Sequence, residues 1–398
     1  MTSGVILPGS TIGIIGGGQL GRMLALEARR MDYRTIVLDP DPLAPAAAVS
    51  DHHIVAPLTD LDAVKQLADR SDVVTLEWEN ADLTAMRFLA GSIPVRPGPE
   101  ILEVAQNRLL EKEAARSLGL STAPFHAVDS LDDLRAGLAA VGTPAVLKTV
   151  FGGYDGKGQR VIQDPAEAES AFGELGGAGS LILEGWVTFE CEVSVICGRS
   201  VGGDVVAFPV VENIHERGIL DVTVAPARVR PDVLRRAAEV GMRMTEGLEV
   251  VGLLAVEMFV TADGEVLVNE IAPRPHNSGH YTWEACSISQ FEMQLRAVCG
   301  LPLPQPVLLH PAAMVNLLGD HIGDGRGIAA TADALALPMV SLHLYGKVEG
   351  RPGRKMGHIT SLAEDVDGAL ARAVKARSLL SGGRKSVSVS SGKVDTHR

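Results

Sequence analysis

The sequence predicts a multidomain protein of mixed class, an α/β unit built on a parallel sheet followed by α+β units. Three observations carry this. Short β-rich runs alternate with helical patterns through the first hundred residues, the texture becomes α+β from about residue 121 with long strands dominating after 184 to about 271, and Asp263-Gly264 joins two apolar runs as a hairpin.

The elements follow in order. Thr11-Ile-Gly-Ile-Ile15 reads as a strand, a helix begins near Gln19, Arg34-Thr-Ile-Val-Leu38 is the next strand, and a helix near 61–69, a strand Val73-Val-Thr-Leu76 and a third helix complete the alternation. Such spacing implies a parallel sheet covered on both faces. One long helix is predicted from Glu100 to Leu118, stopped by Gly119, and Ser121-Thr-Ala-Pro124 marks a boundary. A strand then runs into Pro144-Ala-Val-Leu-Lys148, followed by Arg160-Val-Ile, a helix near 165–174 and the strand Leu181-Ile-Leu-Glu184. Further on come a helix near 231–247, another around 283–299, the connector Leu301-Pro-Leu-Pro-Gln-Pro306, a strand over 340–346, a basic turn and a helix near 361–378. The units are placed at 1–119, 120–185, 186–330 and 331–380, and the Ser-, Gly- and Lys-rich residues 381–398 are expected to form a mobile tail.

The 398 residues are 46% hydrophobic and 21% charged, which suits folded globular domains rather than disorder. A net charge of -13 opposes binding to nucleic acid or an anionic membrane. The N-terminus lacks the basic-then-apolar pattern of a leader and no apolar run is long enough to span a bilayer, so a cytoplasmic protein is expected. Cys191, Cys197, Cys286 and Cys299 have neither zinc-site spacing nor disulfide-scaffold density, and are read as buried reduced thiols.

Gly16-Gly-Gly-Gln-Leu-Gly21 follows a strand, and Asp39 closes the next strand 18 residues after Gly21. That is a dinucleotide-binding fingerprint, and alone it makes an NAD-dependent dehydrogenase the leading guess. Backbone shaped this way accepts any phosphate, however, and does not select NAD. A second loop, Phe151-Gly-Gly-Tyr-Asp-Gly-Lys-Gly-Gln-Arg160, has the glycines and lysine of a phosphate cradle but no Walker spacing and no hydroxyl for a metal.

The hairpin supplies the missing metal ligands. With Asp263-Gly264 as a two-residue turn, Ala262 opposes Glu265 and, further down the ladder, Glu257 opposes Glu270, about 5 Å apart at Cβ. Opposed carboxylates are destabilising unless exposed to solvent, protonated or bridged by a cation; the apolar neighbours favour the bridge, and magnesium is the hard ion suited to oxygen ligands beside phosphates. Asn269 has the opposite parity and would join them only where the strand is irregular. Lys148 precedes the second loop, Glu184-Gly-Trp-Val187 can read an adenine edge through its backbone, and Glu190 and Glu192 share a strand face suited to ribose hydroxyls.

Together these residues resemble the ATP-grasp superfamily, where ATP lies between two α+β units under a Gly-rich lid. In detail they resemble the N5-carboxyaminoimidazole ribonucleotide synthases, ATP-dependent carboxylases of purine (IMP) biosynthesis. The matching stretches are Gly16-Gly-Gly-Gln-Leu-Gly-Arg-Met23, Gly152-Gly-Tyr-Asp-Gly-Lys-Gly-Gln159, Pro209-Val-Val-Glu-Asn-Ile-His215 with Gly218-Ile-Leu-Asp221, Asn269-Glu-Ile-Ala-Pro-Arg-Pro-His-Asn-Ser-Gly-His280, and Tyr345-Gly-Lys347 with Arg354-Lys-Met-Gly-His358. They span about residues 11 to 375. In Thr75-Leu-Glu-Trp-Glu-Asn80, Leu76 and Trp78 stand where many members carry Tyr and Phe, while the acids remain.

The resemblance implies an ATP-grasp fold with a Rossmann-like N-terminal domain, a small lid domain, a large domain with the metal site and a small C-terminal domain. It implies ATP contacts from Arg108, Lys148, Gly153, Tyr154, Asp155, Gly156, Lys157, Gly158, Gln159, Glu184, Gly185, Trp186, Val187, Glu192, His215, Asn269 and Glu270. Glu257 and Glu270 would carry magnesium, two ions in all, and no biotin is expected. Arg274, His276 and Lys347 would serve the chemistry. Gly18, Gln19, Leu20, Glu77, Tyr154, Asp155, Lys347, Arg354 and Lys355 would hold 5-aminoimidazole ribonucleotide. Bicarbonate is the third substrate and a homodimer the implied assembly. A formate-dependent glycinamide ribonucleotide transformylase is the nearest rival within the superfamily, and an ATP-binding sensor without turnover a further alternative.

Overall fold

The computed structural model describes residues 4–152, 158–176, 179–322 and 331–381, without the side chains of 321 and 322. The tail 382–398 and the loop residues Gly153, Tyr154, Asp155, Gly156 and Lys157 lie outside the described residues. The first unit is the parallel sheet expected, with the strands His52–Val55, Arg34–Asp39, Thr11–Ile15 and Val73–Leu76 side by side in that order. Both faces are covered, as the near-continuous apolar strands require: Ile12 and Ile14 pack with Leu24, whereas Ile15, Ile36 and Leu38 pack with Leu67.

Two further sheets follow. Phe125–Val128, Leu181–Gly185, Ala145–Thr149 and Gln159–Ile162 make a four-stranded antiparallel sheet. The third has nine strands among the described residues and begins at the hairpin, Val266–Ala272 then Gly252–Val260, continuing through Cys191–Arg199, Val211–Glu216, Ile219–Ala225, Ala312–Leu318, Lys355–Leu362 and Val340–Leu344, with the short strand Val205–Ala207 also paired to Cys191–Arg199. Ala312–Leu318 pairs with Ile219–Ala225 on one side and Lys355–Leu362 on the other, so the C-terminal strands extend the large sheet. Helix Val366–Leu380 closes them with Ala369, Ala373 and Ala376 in a shared core.

Three elements differ from expectation. The long helix is two, Pro99–Ala105 and Arg108–Ser117. Apolar periodicity continues across the break, but Asn107 leaves the helix and its side chain accepts the Leu109 and Leu110 amides as an N-cap, while Gln106 donates to the carbonyls of Glu79 and Ala81. Arg108 thereby becomes the first residue of a new helix. The helix expected at 283–299 is likewise divided, into Thr282–Ala285 and Gln290–Cys299, with Ser289 capping the second. The last helix starts at Val366 because 361 and 362 belong to a strand and Asp365 caps the helix after it. Cys197, Cys286 and Cys299 are buried free thiols and Cys191 is half-buried. Among the described residues no helix is long and apolar enough to cross a membrane.

Candidate active site between the sheets

The hairpin brings the two acids opposite each other by a route the sequence arithmetic did not contain. The turn has three residues: Thr261 N–H donates to the Glu265 carbonyl at 3.0 Å, Gly264 N–H donates to Thr261 at 2.8 Å, and Gly264 takes φ +83°. This moves the ladder one residue out of the expected register, Val260 facing Val266 and Met258 facing Val268. A bulge at Asn269 then restores it, and Glu257 faces Glu270. The irregularity that Asn269 needed is therefore present, and Asn269 and Glu270 both line the cavity beside the hairpin.

That cavity, of about 920 Å³, is large enough for a nucleotide. One wall is the strand end Glu184, Gly185, Trp186 and Val187, and Lys148 and Gln159 line it from the neighbouring strands. Lys148 Nζ lies 3.0 Å from Glu184. Burial alone would raise the Glu184 carboxyl, but Lys112 and Lys148 hold it down at about 2. Gly158 does not line the cavity; its carbonyl accepts the Thr149 amide at 2.9 Å and its φ is +70°.

At the other end Glu257 is 3.0 Å from His276 Nε2 and 3.9 Å from His215 Nε2, and His215 Nδ1 is 3.0 Å from Glu192. Burial would lower the His215 pKa, yet Glu192 and Glu257 push it up to about 9, the mark of a strongly anionic pocket. Ligand atoms of Glu192, His215 and Glu257 come within 4.8 Å of one another. Glu270 is not in that group; its carboxylate lies 3.5 Å from the Arg108 guanidinium. Three carboxylates around one cavity end, hard donors in excess of the imidazoles between them, fit a divalent cation.

His276 is fixed from behind. Its Nδ1 meets the Ser278 hydroxyl at 2.9 Å and accepts the Ser278 amide at 3.3 Å, which leaves Nε2–H to donate to Glu257. Ser278 is in turn bonded by Ser194, and Ser194 by Asn213, both buried. Arg274 spans both oxygens of Glu79, with Nη2 at 2.7 Å. Burial opposes ionisation of Glu79, but Arg274 holds its carboxyl at about 2. The fork expected to bind an anion therefore already carries a fixed carboxylate on one side.

A second group of expected residues adjoins the first. Lys347 Nζ donates to Gln19 Oε1 at 2.7 Å and to the Lys355 carbonyl at 2.9 Å, which joins the first glycine loop to the basic turn. Lys355 also lines the main cavity, and Arg354 anchors the same turn through the Glu349 carbonyl. Burial, with Arg354 and Lys355 nearby, lowers the Lys347 pKa to about 8. Glu77 accepts the amides of Gly18 at 2.9 Å and Gly21 at 3.0 Å, and burial pushes its carboxyl up. A Cβ on Gly16 or Gly18 would stand 2.7 Å from Glu77 atoms. Asp39 accepts the Gly17 amide at 2.7 Å.

The dinucleotide fingerprint thus wraps two carboxylates of its own chain. A pyrophosphate would have to displace Glu77, and the ribose-binding acid is engaged, which removes the structural basis for the dehydrogenase guess. For the expectation that Gly18, Gln19 and Leu20 offer amides to a phosphate, Gly18 is already committed.

Sequence reasoning missed Glu79 as the partner of Arg274, the stacked pair Phe189 and Phe259 at 4.5 Å in the cavity wall, and the buried Glu111 and Lys112. Two of these had a signal. Phe259 shares a strand face with Glu257, and Glu111 and Lys112 follow Arg108 at helical spacing.

Two α+β sheets closing on a cavity with lysine at one end and paired acids at the other define an ATP-grasp enzyme. Family models agree along the chain: a ribonucleotide synthetase preATP-grasp domain matches residues 9–106, an ATP-grasp domain 113–291, and a phosphoribosylaminoimidazole carboxylase C-terminal domain 312–372. The N5-carboxyaminoimidazole ribonucleotide synthase of Bacillus subtilis is 47% identical over 92% of this chain and 95% of its own length. Among solved structures, an N5-carboxyaminoimidazole ribonucleotide synthetase in complex with ADP superposes with a TM-score of 0.89 at 46% identity, covering 96% of this chain and 99% of that one. The Aspergillus clavatus synthase in complex with ADP and 5-aminoimidazole ribonucleotide gives 0.86 at 33% identity, covering 93% and 98%. The chain belongs to the N5-carboxyaminoimidazole ribonucleotide synthase family.

Proposed function

We infer that this chain carboxylates the exocyclic amine of 5-aminoimidazole ribonucleotide at the expense of ATP, in purine biosynthesis. The observation that carries the reading is the joining of two sites: a nucleotide cavity ending at Glu257 and Glu270, and an anion pocket in which Lys347 meets Gln19, connected through Lys355. We propose bicarbonate as the carboxyl source. One bicarbonate oxygen attacks the γ-phosphorus of ATP, giving carboxyphosphate and ADP; the amine then attacks the carboxyl carbon, phosphate departs, and the amine loses a proton.

Such a transfer needs positioning and charge neutralisation more than covalent help from the protein. We assign magnesium, as two ions, to Glu257 and Glu270, where its charge would offset that of the phosphates. Lys148 holds phosphate oxygens, and Glu184 to Val187 read the adenine. Arg274, kept rigid by Glu79, presents the outer edge of its guanidinium to bicarbonate. His276, bonded at both nitrogens, orients Glu257, and the departing phosphate takes the proton the amine loses. Gln19 and Leu20 amides with Lys347, Arg354 and Lys355 bind the ribonucleotide phosphate, and Tyr154 and Asp155 are assigned to contacts with the aminoimidazole. We further propose a cytoplasmic homodimer, for which sedimentation velocity is the direct measurement.

Release of ADP and phosphate should require 5-aminoimidazole ribonucleotide and bicarbonate together. Formate should not replace bicarbonate, and glycinamide ribonucleotide should not replace the aminoimidazole. Full turnover with formate would favour the transformylase rival, and ATP binding without product the sensor. A second expectation concerns pH. Lys347 is charged below about 8 and loses its proton above it, so kcat/KM for the ribonucleotide should fall as pH rises through 8. Lys347→Arg, charged at every accessible pH, should abolish that limb. A level wild-type profile well beyond pH 8 together with an unchanged KM for the ribonucleotide in Lys347→Met would exclude Lys347 from phosphate binding.

A further inference from the structure

The bulge at Asn269 sits where a sheet is least constrained. Val266–Ala272 is the terminal strand of the nine-stranded sheet, and among the described residues its outer edge has no strand beside it, only an isolated parallel bridge to Thr122. Edges and bulges slip easily, and a slip of one residue here would set Asn269 opposite Glu257 and take Glu270 away.

Side chains from the helix Arg108–Ser117 close that edge. Glu111 accepts the Ile271 N–H, and Lys112 Nζ donates to the carbonyls of Asn269 at 2.7 Å and Val268 at 3.4 Å. The Val268 N–H goes to the Ser121 carbonyl at 2.8 Å. Glu111 and Lys112 are 2% and 1% exposed. Burying two ionisable groups is costly, and Met or Leu would fill the same volume without that cost. Neither could bond an N–H and two carbonyls on either side of a bulge.

Lys112 also lies 3.6 Å from Glu184, which holds Lys148. One buried ammonium therefore touches both the adenine-side strand end and the strand that carries Glu270. The same helix begins with Arg108, itself 3.5 Å from Glu270. Helix, bulge and nucleotide wall are tied into one unit.

We propose that Glu111 and Lys112 are positioning residues that hold the Asn269 bulge, and so keep Glu270 opposite Glu257 for the cation. This rests on the assignment of magnesium to Glu257 and Glu270. Neither residue touches a reacting atom; both act through the backbone of 268–271.

Manganese binding to the full-length protein in the presence of ADP, followed by electron paramagnetic resonance, tests this without relying on turnover. Lys112→Met and Glu111→Met should each weaken manganese binding by about 10–100-fold, the usual cost of losing a supporting partner. Lys112→Gln, which keeps a donor, should recover part of the loss. Glu111→Met leaves the Lys112–Glu184 contact in place, so its ADP affinity without metal should match wild type. Adding Glu270→Gln to either Met variant should weaken binding no further than Glu270→Gln alone.

Unchanged manganese affinity in both Met variants, with Glu270→Gln weakened, would overturn the positioning role and leave the metal assignment standing. Losses that add in the double variants would overturn it too, since they would mark a general loss of stability. If Glu270→Gln itself binds manganese normally, the metal assignment fails and the inference with it. Should Lys112→Met not fold, Glu111→Met and Lys112→Gln carry the same comparison.

Discussion

Replacing Glu270 by Gln is expected to lower turnover by about 100- to 1000-fold, the range seen when one preorganised charge is removed from a transferring group's surroundings. Stability should hardly change. The side chain is 46% exposed, toward the cavity, and its contact with Arg108 at 3.5 Å is worth at most about 1 kcal/mol in so wet a setting. Gln keeps the shape and loses the charge, so a normal melting temperature with lost activity separates function from folding. Glu257→Gln should show the same loss of rate with a measurable loss of stability, because it leaves His276 and His215 without their shared carboxylate. Near-normal turnover in Glu270→Gln would refute its assignment to the metal.

The second large effect belongs to Arg274. Arg274→Met leaves Glu79 without the guanidinium that holds its carboxyl at about 2, in a place where the arginine is 15% and the glutamate 24% exposed. Breaking such a pair should cost about 3 kcal/mol, the low end for a buried pair because some water reaches it. The sign with pH follows from the lowered Glu79 pKa. The pair stabilises the wild-type fold above the ordinary carboxylate range and loses that contribution as pH falls through about 2. Glu79→Gln combined with Arg274→Met should recover most of the stability, as both charges are then gone. It should not recover activity, because no guanidinium faces the bicarbonate. Urea denaturation and steady-state rates read the two effects separately; recovered turnover in the double variant would exclude Arg274 from the chemistry.

These expectations draw on what was readable in the chain and what was not. The hairpin was readable, because Asp-Gly between β-rich runs is a local signal and pairing follows from counting. The count reached the right opposition for Glu257 and Glu270 only because two departures cancelled, a third turn residue and the bulge at Asn269. The helix break at Asn107 was less legible: Asn and Gln are tolerated inside helices, and the break is decided by a cap and by Gln106 reaching Glu79 and Ala81, more than twenty residues away.

The glycine loop makes the division plainest. Alternation of strands and helices, the Asp-Gly turn and the order of charged residues along the chain determined the parallel first sheet, the hairpin and the family resemblance, since each is set by local periodicity or by residue identity. What fills the loop was decided only by tertiary structure. Glu77 comes from a neighbouring strand of the parallel sheet to take the Gly18 and Gly21 amides, and Lys347 arrives from 328 residues away to meet Gln19. Gly16-Gly-Gly-Gln-Leu-Gly21 permits a close anionic approach. Whether the anion is a dinucleotide or the chain's own carboxylate depends on packing between distant segments, which no local pattern encodes.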